Sequence, residues 1–226
     1  MTDELKRQAA LRALNEIRDG MIVGLGTGST ASHFIRELGN AGLKVAGIPT
    51  SEESRRLAQE VGIRLTTLKD HSQIDVTVDG ADEVAPNLDL IKGLGGALVR
   101  EKIVAHASRR VVVVVDESKL VPKLGYKTVI PVEVIPFAVP CVLLRLSELV
   151  GEGRLRDKSG RAFISDNGNN IVDWSHGIID EPAVLEKRLK SITGVVDSGI
   201  FSGIADRVIV AGKQGVRELE RSKSAG

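Results

Sequence analysis

The spacing of apolar residues over the first 130 positions alternates between that of helices and that of strands. Helical spacing predicts four helices, at residues 3–18, 29–38, 50–61 and 96–108. Short apolar runs predict strands around them, at residues 21–25, 43–48, 63–66, 74–78 and 110–115. The last run holds five consecutive valines, which suit a strand covered on both faces of a parallel sheet. This alternation predicts an α/β domain whose strands are joined by right-handed crossovers.

The pattern changes near residue 129, where prolines begin to interrupt the apolar runs. Beyond a short helix, brief alternating segments are separated by turns rich in Asp, Asn, Ser and Gly. This mixture predicts a second, smaller α+β domain over residues 130–200. The first domain would then consist of residues 1–129 and 201–226.

Three local features refine this outline. Thr50 and Glu53 have the spacing of a capping box, so Thr50 is expected to precede the third helix. An apolar run at residues 207–210 is expected to return to the first sheet as a strand. The polar residues 217–226 are expected to form a frayed tail.

Composition excludes several classes of function. The 226 residues are 42% hydrophobic and 27% charged, and the net charge of +1 gives no support for nucleic-acid binding. The single Cys141 cannot form an internal disulfide, and four scattered histidines lack metal-ligand spacing, so no metal is expected. Neither a signal-peptide core nor a membrane-length apolar run is present, so a cytoplasmic protein without a membrane partner is expected.

A glycine-rich segment, Gly24-Leu-Gly-Thr-Gly-Ser-Thr30, follows the first predicted strand and opens a helix. Its glycines let a ligand approach the backbone, and N–H groups at a helix N-terminus favour an anion such as phosphate. A dinucleotide site would need glycine in place of Ser29 and an acidic residue near Ile48-Pro49-Thr50. A Walker loop would need a lysine before Ser29. The remaining alternative is a tight strand-to-helix turn that binds no ligand.

The segment Asp79-Gly-Ala-Asp-Glu83 stands where another predicted strand ends. Asp79 and Asp82 are three residues apart and could bind neighbouring hydroxyls of one sugar. Alternatively, Asp is simply favoured in turns, where it binds its own backbone. Lys92 precedes the glycine run Gly93–Gly96 and could neutralise an oxyanion. Alternatively, the Lys92 side chain is simply solvated and has no such role.

Glu101 lies on the apolar face of its predicted helix, whereas Arg100 and Lys102 point to flanking directions. The apolar neighbours of Glu101 on this face are Ala97, Leu98, Val104 and Ala105. A buried carboxylate must be paired or functional, and burial makes it a stronger base. The alternative to a functional carboxylate is a buried ion pair with Lys92 or Lys119.

Three of these elements directly follow predicted strands: Gly26–Thr30, Asp79 and Asp116. Because ligands bind at the carboxyl ends of parallel strands, we expect the three elements to share one edge of the sheet. Lys6 and Lys119 could add positive charge to a phosphate site there, although exposed lysines are usually only solvated.

Taken in order, these motifs resemble ribose 5-phosphate isomerase of the A type over nearly the whole chain. The matching segments are 24–30, 79–83, 91–97, 100–103, 116–119, 131–136 and 165–169. The resemblance implies a Rossmann-like domain with a smaller ferredoxin-like domain, assembled as a homodimer or homotetramer. The chain departs from the family pattern at Thr128-Val129-Ile130. At this junction with the second domain, the family often has Phe-Pro-Leu.

The resemblance also implies an activity and a role for each candidate residue. The substrate would be a sugar phosphate, with D-ribose 5-phosphate and D-ribulose 5-phosphate interconverted in the pentose phosphate pathway without metal, nucleotide or other cofactor. The base that moves a proton between C2 and C1 would be Glu101. The enediolate would be stabilised by Lys92, Gly93, Leu94 and Gly95. Sugar hydroxyls would be bound by the segment Asp79, Gly80, Ala81 and Asp82, in which the two aspartates assist ring opening.

The phosphate end of the substrate would be cradled by Thr27, Gly28, Ser29 and Thr30 and completed by Lys119. An aldose–ketose isomerisation needs a positioned base and electrostatic support for the enediolate oxygen, in agreement with these residue types. Two alternatives use related folds. A sugar-phosphate sensor would be expected to lack the base, and an acyl-CoA transferase would not need the Asp-Gly-Ala-Asp turn.

Overall fold

The computed structural model describes residues 3–221. Contacts within the chain divide these residues into two compact units, each formed from separate segments. The first unit holds residues 3–81, 100–119 and 204–221, and the second holds residues 82–99 and 120–203. The domain boundary near residue 129 stays a prediction.

The helices and strands are numbered in chain order. The α-helices are α1 (Asp3–Ala13), α2 (Ser29–Asn40), α3 (Glu52–Glu60), α4 (Leu98–His106), α5 (Val139–Ser147) and α6 (Pro182–Lys190). The strands are β1 (Ile22–Leu25), β2 (Ala46–Pro49), β3 (Arg64–Leu65), β4 (Val76–Asp79), β5 (Glu83–Val84), β6 (Leu90–Ile91), β7 (Val111–Asp116), β8 (Ile130–Val134), β9 (Glu152–Leu155), β10 (Asp157–Lys158), β11 (Arg161–Ala162), β12 (Asn170–Ser175), β13 (Val195–Ser198), β14 (Ile200–Phe201), β15 (Arg207–Gly212) and β16 (Gly215–Glu220). Short 3₁₀ helices occupy Leu14–Glu16, Glu117–Lys119 and Pro136–Ala138.

The first unit is built on a seven-stranded sheet with the strand order β16-β15-β7-β4-β1-β2-β3. Neighbouring strands from β15 to β3 are parallel, and β16 runs antiparallel to β15. Every residue of the valine strand β7 is buried, as expected for a strand covered on both faces. The predicted α/β fold class with a mostly parallel sheet is confirmed.

Helices α1 and α2 cover part of this sheet. Helix α2 buries Ala31, Phe34, Ile35 and Leu38, whose spacing of three and four residues forms one apolar face. Phe34, Ile35 and Leu38 join a core with the inward residues of β1, β4 and β7. Helix α1 packs against α2, β7 and β15. The core thereby fixes the start of α2 directly after the turn that follows β1.

The second unit combines a four-stranded antiparallel sheet, β13-β8-β12-β9, with a three-stranded sheet, β14-β6-β5, and the hairpin β10-β11. Helix α5 packs on β9 and β12, and α6 packs on β13 and β14, around a core that includes the fully buried Trp174. Glu133, fully buried in β8, accepts hydrogen bonds from Ser165 Oγ and Asn169 Nδ2, both at 2.9 Å. Two segments that carry the family resemblance therefore meet within this unit.

Two predicted helix boundaries are wrong. The first helix ends at Ala13 and passes through a 3₁₀ turn, so it stops before the predicted residue 18. The third helix is capped by Ser51 rather than Thr50: Ser51 Oγ accepts the N–H of Ser54, and Ser54 Oγ accepts the N–H of Ser51. Thr50 instead donates its hydroxyl to the carbonyl of Leu25 at 3.0 Å.

The tail predicted from residue 217 is wrong as far as residue 220, because β16 pairs with β15 along that segment. Its charged side chains find partners across the sheet. Arg207 lies opposite Glu220 and forms ion pairs with Glu220, with Glu218 at 2.9 Å and with Glu16 at 2.7 Å. Residues 222–226 of the predicted tail lie outside the described residues.

Candidate active-site residues

Packing against β4 shapes the glycine turn after β1. A Cβ atom at Gly24 would lie 1.9 Å from Thr77 Oγ1, and one at Gly26 would lie 2.5 Å from the Cα atom of Asp79. Gly28 differs, because its φ of +102° is a conformation that favours glycine, while a Cβ atom there would meet no described atom within 4 Å. The turn therefore requires its glycines even without a ligand, so glycine content alone is not evidence for a phosphate site.

Thr27 belongs to a cluster of hydroxyl groups that the sequence analysis missed. Its Oγ1 donates to Ser51 Oγ at 2.7 Å and lies 2.8 Å from Thr50 Oγ1. Thr50 and Ser51 are buried and directly follow β2, which neighbours β1 in the sheet. That adjacency was the available signal, since residues separated by 23 positions share no local pattern. The cluster holds the Thr27 side chain in one position beside the start of α2.

Asp79 ends β4 and is almost fully buried, with 3% of its surface exposed. Its Oδ1 accepts the N–H of Thr27 at 3.0 Å and the N–H of Gly80 at 2.7 Å. The carboxylate therefore ties the turn after β1 to the end of β4, as the turn-chemistry alternative requires. Gly80 and Ala81, which follow, are partly exposed.

Glu101 is 4% exposed in the first turn of α4, among buried apolar residues, as predicted. The N–H groups at a helix N-terminus favour an anion at this position. Lys102, expected on a flank of the helix, is also buried, whereas Arg100 is partly exposed. Helix α4 begins two residues after Gly96, whose φ of +84° is incompatible with a helix.

An ion pair connects the start of α4 to the start of α3. Arg100 Nη1 donates to Glu52 Oε1 at 3.1 Å, and Arg55 Nε donates to Glu52 Oε2 at 2.7 Å. The hydrogen bond from Arg55, and then that from Arg100, hold the pKa of Glu52 below its ordinary value. Within the first unit, the residue before Glu101 is therefore anchored by its own side chain.

The expected common sheet edge is confirmed for the turn at Gly26–Thr30, Asp79 and Asp116. They follow or end β1, β4 and β7, which are adjacent parallel strands. Asp116 Oδ1 accepts the N–H of Ser118 at 2.8 Å and opens the 3₁₀ turn that carries Lys119. Lys119 and Lys6, the latter on α1, are both partly buried. Their contribution to a phosphate site stays a prediction.

In the second unit, the structure excludes a solvated Lys92. Lys92 is 4% exposed, and its Nζ lies 5.6 Å from the ring centroid of Phe201, a distance typical of a cation–π contact. Its backbone N–H donates to the carbonyl of Gly199 at 2.8 Å. Asp82 Oδ2 accepts the N–H of Leu94 at 3.0 Å, so this carboxylate is bound to the glycine run.

The glycine run forms a turn closed by the N–H of Gly96, which donates to the carbonyl of Gly93 at 2.9 Å. Both residues have positive φ, +98° for Gly93 and +84° for Gly96. A Cβ atom at Gly96 would also lie 2.4 Å from the ring of Phe163. Leu94 and Gly95, at the tip of the turn, are exposed.

Arg156 is a further residue at this turn that the sequence analysis missed. Its Nη1 donates to the carbonyls of Gly93 at 3.1 Å and Leu94 at 2.9 Å. Its Nε and Nη2 donate to the two carboxylate oxygens of Asp173, at 2.8 and 2.5 Å. More than 60 residues separate Arg156 from the turn, so no local pattern could have revealed the contact.

Each unit contains candidate groups of its own. The first provides a buried carboxylate, Glu101, and a helix N-terminus after a glycine turn, and the second provides a buried ammonium group, Lys92. Among residues 3–221, no three His, Cys, Asp or Glu side chains cluster as metal ligands would. None of the helices in that range has the length and apolar character needed to cross a membrane.

Comparison with known sequences identifies the family. Residues 46–215 match the family model of ribose 5-phosphate isomerase A (phosphoriboisomerase A). The ribose-5-phosphate isomerase A of Rhodopseudomonas palustris strain HaA2 is 51% identical over an alignment of 230 positions. This alignment covers 97% of this chain and 99% of that protein. The protein of the same name from Methanothermobacter thermautotrophicus is 50% identical, over 95% of this chain and 97% of its own length.

Solved structures agree with the sequence comparison. A D-ribose-5-phosphate isomerase in complex with phospho-erythronic acid aligns with a TM-score of 0.95 at 44% identity, over 98% of this chain and 100% of that one. The ribose 5-phosphate isomerase A of Methanocaldococcus jannaschii aligns with a TM-score of 0.93 at 48% identity, over 97% and 100% of the two chains. The chain therefore belongs to the ribose 5-phosphate isomerase A family of enzymes, which confirms the resemblance drawn from its motifs.

Proposed function

We propose that this enzyme interconverts D-ribose 5-phosphate and D-ribulose 5-phosphate through a cis-enediolate, with Glu101 as the base. Membership of the family supports the reaction. The observation that supports the base is the burial of the Glu101 carboxylate, 4% exposed, among apolar residues at the start of α4. The reaction would belong to the non-oxidative branch of the pentose phosphate pathway.

In the proposed reaction, Glu101 takes the proton from C2 of the open-chain aldose. The electron pair of the broken C–H bond forms the C1–C2 double bond, and negative charge moves to the oxygen on C1. The proton of the C2 hydroxyl moves to the oxygen on C1, which becomes a hydroxyl. The same carboxyl group then returns its proton to C1, and the oxygen on C2 becomes the ketone oxygen. The C–H proton is weakly acidic, so the step requires both a positioned base and stabilisation of the enediolate charge.

We assign the stabilisation of the enediolate charge to Lys92 and the turn Gly93–Gly95. The low exposure of the Lys92 ammonium group supports this assignment, since a charge interaction is stronger away from water. Asp79 and Asp82, with Gly80 and Ala81 between them, would bind sugar hydroxyls and assist ring opening. The bond from the Leu94 N–H to Asp82 supports a joint action of this carboxylate and the turn.

We assign the binding of the substrate's phosphate group to the turn Thr27–Thr30 at the N-terminus of α2. Lys119 and Lys6 would add positive charge there. The first N–H groups of a helix and its dipole favour an anion, and helix α2 is 12 residues long. The fixed hydroxyl of Thr27 supports a preformed cradle. Phospho-erythronic acid, which is bound in the solved relative, carries a phosphate and a carboxylate, and we propose that this chain binds it too.

The test is an isomerase assay on the purified chain with D-ribose 5-phosphate, excess EDTA and no nucleotide. Formation of D-ribulose 5-phosphate is expected, because the proposed groups are all side chains and backbone of this chain. Binding of the sugar phosphate without turnover would instead indicate a sensor. Turnover that appears only after a divalent metal is added would contradict the cofactor-free mechanism.

We further propose that the enzyme acts in the cytoplasm as a homodimer or homotetramer. Exposed apolar side chains around α5 support self-association, since Phe137 is 96% exposed and Leu144 is 62% exposed. Fractionation of cells that express the chain, and the mass of the native protein in solution, test the two statements separately.

A further inference from the structure

Arg156 links an acidic side chain to the backbone of the turn assigned to the enediolate. Its side chain is 11% exposed and lies between Asp173 and the carbonyls of Gly93 and Leu94. Both oxygens of Asp173 accept from the guanidinium, a two-point contact that fixes its plane. The remaining nitrogen, Nη1, is thereby directed at the two carbonyls.

We propose that Arg156 is a positioning residue for the isomerisation, and this inference rests on the proposed function. The carbonyl of Gly93 shares a peptide group with the N–H of Leu94, and the carbonyl of Leu94 shares one with the N–H of Gly95. In a planar trans peptide the N–H points away from the C=O. By holding both carbonyls, Arg156 directs both N–H groups to the opposite side of the turn.

One of these N–H groups already has an acceptor that agrees with the inference. The N–H of Leu94 donates to Oδ2 of Asp82, which the proposed function assigns to the substrate. The other, that of Gly95, belongs to an exposed residue at the tip of the turn and serves as the donor for the enediolate oxygen. A cation on the two carbonyls polarises both peptide groups, so each N–H becomes a stronger donor.

A purely structural role for Arg156 makes a different prediction. The backbone of Arg156 already connects strands, since its N–H donates to Ile171 and its carbonyl accepts from Phe163, both at 2.8 Å. Those bonds do not involve the guanidinium and survive a change of side chain. If the guanidinium served only to hold β9 and β12 together, its loss would lower stability without altering the chemical step.

The deciding variants are Arg156→Lys and Asp173→Asn, with Arg154→Lys as the matched control. Lysine keeps the charge but loses the fork that reaches carboxylate and carbonyls together. Asp173→Asn leaves Arg156 in place but weakens its orientation. Arg154 lies two residues away on β9, is 78% exposed and contacts Glu152, so its change should leave the enzyme unaltered.

For Arg156→Lys we expect kcat to fall about tenfold or more while KM changes by less than about threefold, since the turn acts on developing charge. Affinity for phospho-erythronic acid, whose carboxylate resembles the enediolate, should fall in proportion to kcat. Asp173→Asn should lower kcat and the affinity for phospho-erythronic acid by a smaller factor. If Arg156→Lys does not fold, the Asp173→Asn variant decides the question.

Unchanged kcat in a folded Arg156→Lys enzyme would overturn the inference. So would a fall in kcat with unchanged affinity for phospho-erythronic acid. The parent enzyme is assayed first with D-ribose 5-phosphate, and its own inactivity would count against the proposed reaction. An active parent with insensitive variants counts only against Arg156.

Discussion

Glu101 and Asp79 are both buried carboxylates, yet their surroundings separate their roles. Asp79 accepts two backbone N–H groups and closes a turn, so part of its function is structural. Glu101 lies among apolar residues in the first turn of a helix. The proposed function assigns the base to Glu101 because this carboxylate is buried on the apolar face of α4.

Replacement of Glu101 by glutamine tests this assignment. The amide keeps the shape of the side chain but cannot accept the C2 proton, so kcat should fall roughly 100-fold or more. Substrate affinity should change by at most about 1 kcal/mol, because the phosphate and hydroxyl contacts are assigned to other residues. Turnover, calorimetric binding and exchange of the C2 proton with solvent measure the three quantities.

The matched control is Glu60→Gln, which makes the same chemical change at an exposed position at the end of α3. If Glu101 were only a partner for a lysine, the variant would melt earlier while each folded molecule turned over almost normally. If Glu101→Gln turned over substrate about as fast as the control, the assignment of Glu101 as the base would be refuted.

Gly26 and Gly28 are required for different reasons, and alanine at each position tests them. At Gly26 the new methyl group would lie 2.5 Å from the backbone of Asp79, so we expect a loss of about 2–3 kcal/mol in unfolding free energy. At Gly28 the methyl group meets no described atom within 4 Å, but the backbone, with φ +102° and ψ 172°, lies in a region that only glycine readily adopts, so we expect a loss of roughly 1–3 kcal/mol. Urea denaturation measures both, and a variant as stable as the parent would contradict the reason given for that glycine.

The connection between α3 and α4 makes stability depend on pH. Arg55, and then Arg100, lower the pKa of Glu52 from its ordinary value of 4.5. A carboxyl group with a lowered folded-state pKa stabilises the fold above its unfolded-state pKa, and the contribution disappears as the pH falls through the folded-state value. The melting temperature of the parent should therefore exceed that of Glu52→Gln at pH 7, and the two should converge as the pH falls below 4.5.

Because Glu52 is partly exposed, with 36% of its side-chain surface accessible, this difference should be small and should shrink in high salt. Calorimetric melting at several pH values, with and without added salt, checks both statements. A difference that persisted unchanged into strong acid would show that Glu52 acts through packing rather than through charge.

The segment that follows Lys119 is anchored by one buried carboxylate. Glu83 is fully buried and accepts the N–H groups of Gly125, Lys127 and Thr128, at 2.7, 2.5 and 2.9 Å. Glu83→Gln would turn an NH₂ group towards at least one of these donors, so we expect a loss of roughly 2–3 kcal/mol in unfolding free energy. Glu148→Gln, at an exposed position, is the control in the same denaturation measurement. Equal stability of the two variants would contradict the anchoring role.

The same contact shows why the departure from the family at Thr128 is tolerated. Thr128 reaches Glu83 through its backbone N–H, which any residue other than proline provides.

Sequence patterns predicted the elements with strong periodicity, such as the buried strand β7 and the buried face of α4. They failed where two residues compete for one role, as Thr50 and Ser51 do for the cap of α3.

Other failures arose where partners lie far apart in the chain. The sequence predicts a tail over most of β16, because the ion pairs of Arg207 are not visible in the local sequence. Arg156 was missed for the same reason, since its hydrogen bonds reach the turn at Gly93 and Leu94. Charged residues with distant partners are therefore the part of this fold that periodicity cannot reveal.

Across the whole chain, each unit contains its own share of the candidate residues. The chain passes between the units at residues 81/82, 99/100, 119/120 and 203/204. Ala81, Asp82 and Lys119 stand at these crossings, and Glu101 is one residue beyond another. Since neither unit is a continuous segment, removal of residues 130–200 would also remove partners of the segment that carries Lys92, such as Gly199 and Arg156.

Self-association of the chain is tested at an apolar surface formed by α5 and the 3₁₀ helix before it. Phe137, Cys141 and Leu144 are spaced by four and three residues and are exposed, so they form one apolar stripe beside a cleft of about 590 Å³ lined in part by Ile192. In a two-fold dimer the same stripe is used by both copies, so each side chain contributes twice.

Phe137→Asp should therefore weaken association by at least about 100-fold, since it removes an apolar side chain and adds a charge to each copy. Sedimentation velocity at micromolar concentration should show a dimer or tetramer for the parent and a smaller species for the variant. Val184→Asp, a comparable change at a 56% exposed position on α6, is the control and should keep the parent mass. A parent that sediments as a monomer would contradict self-association itself. An oligomeric parent whose mass is unaffected by Phe137→Asp would mean that the copies meet through another surface, because a charge cannot be buried in an apolar contact without weakening it.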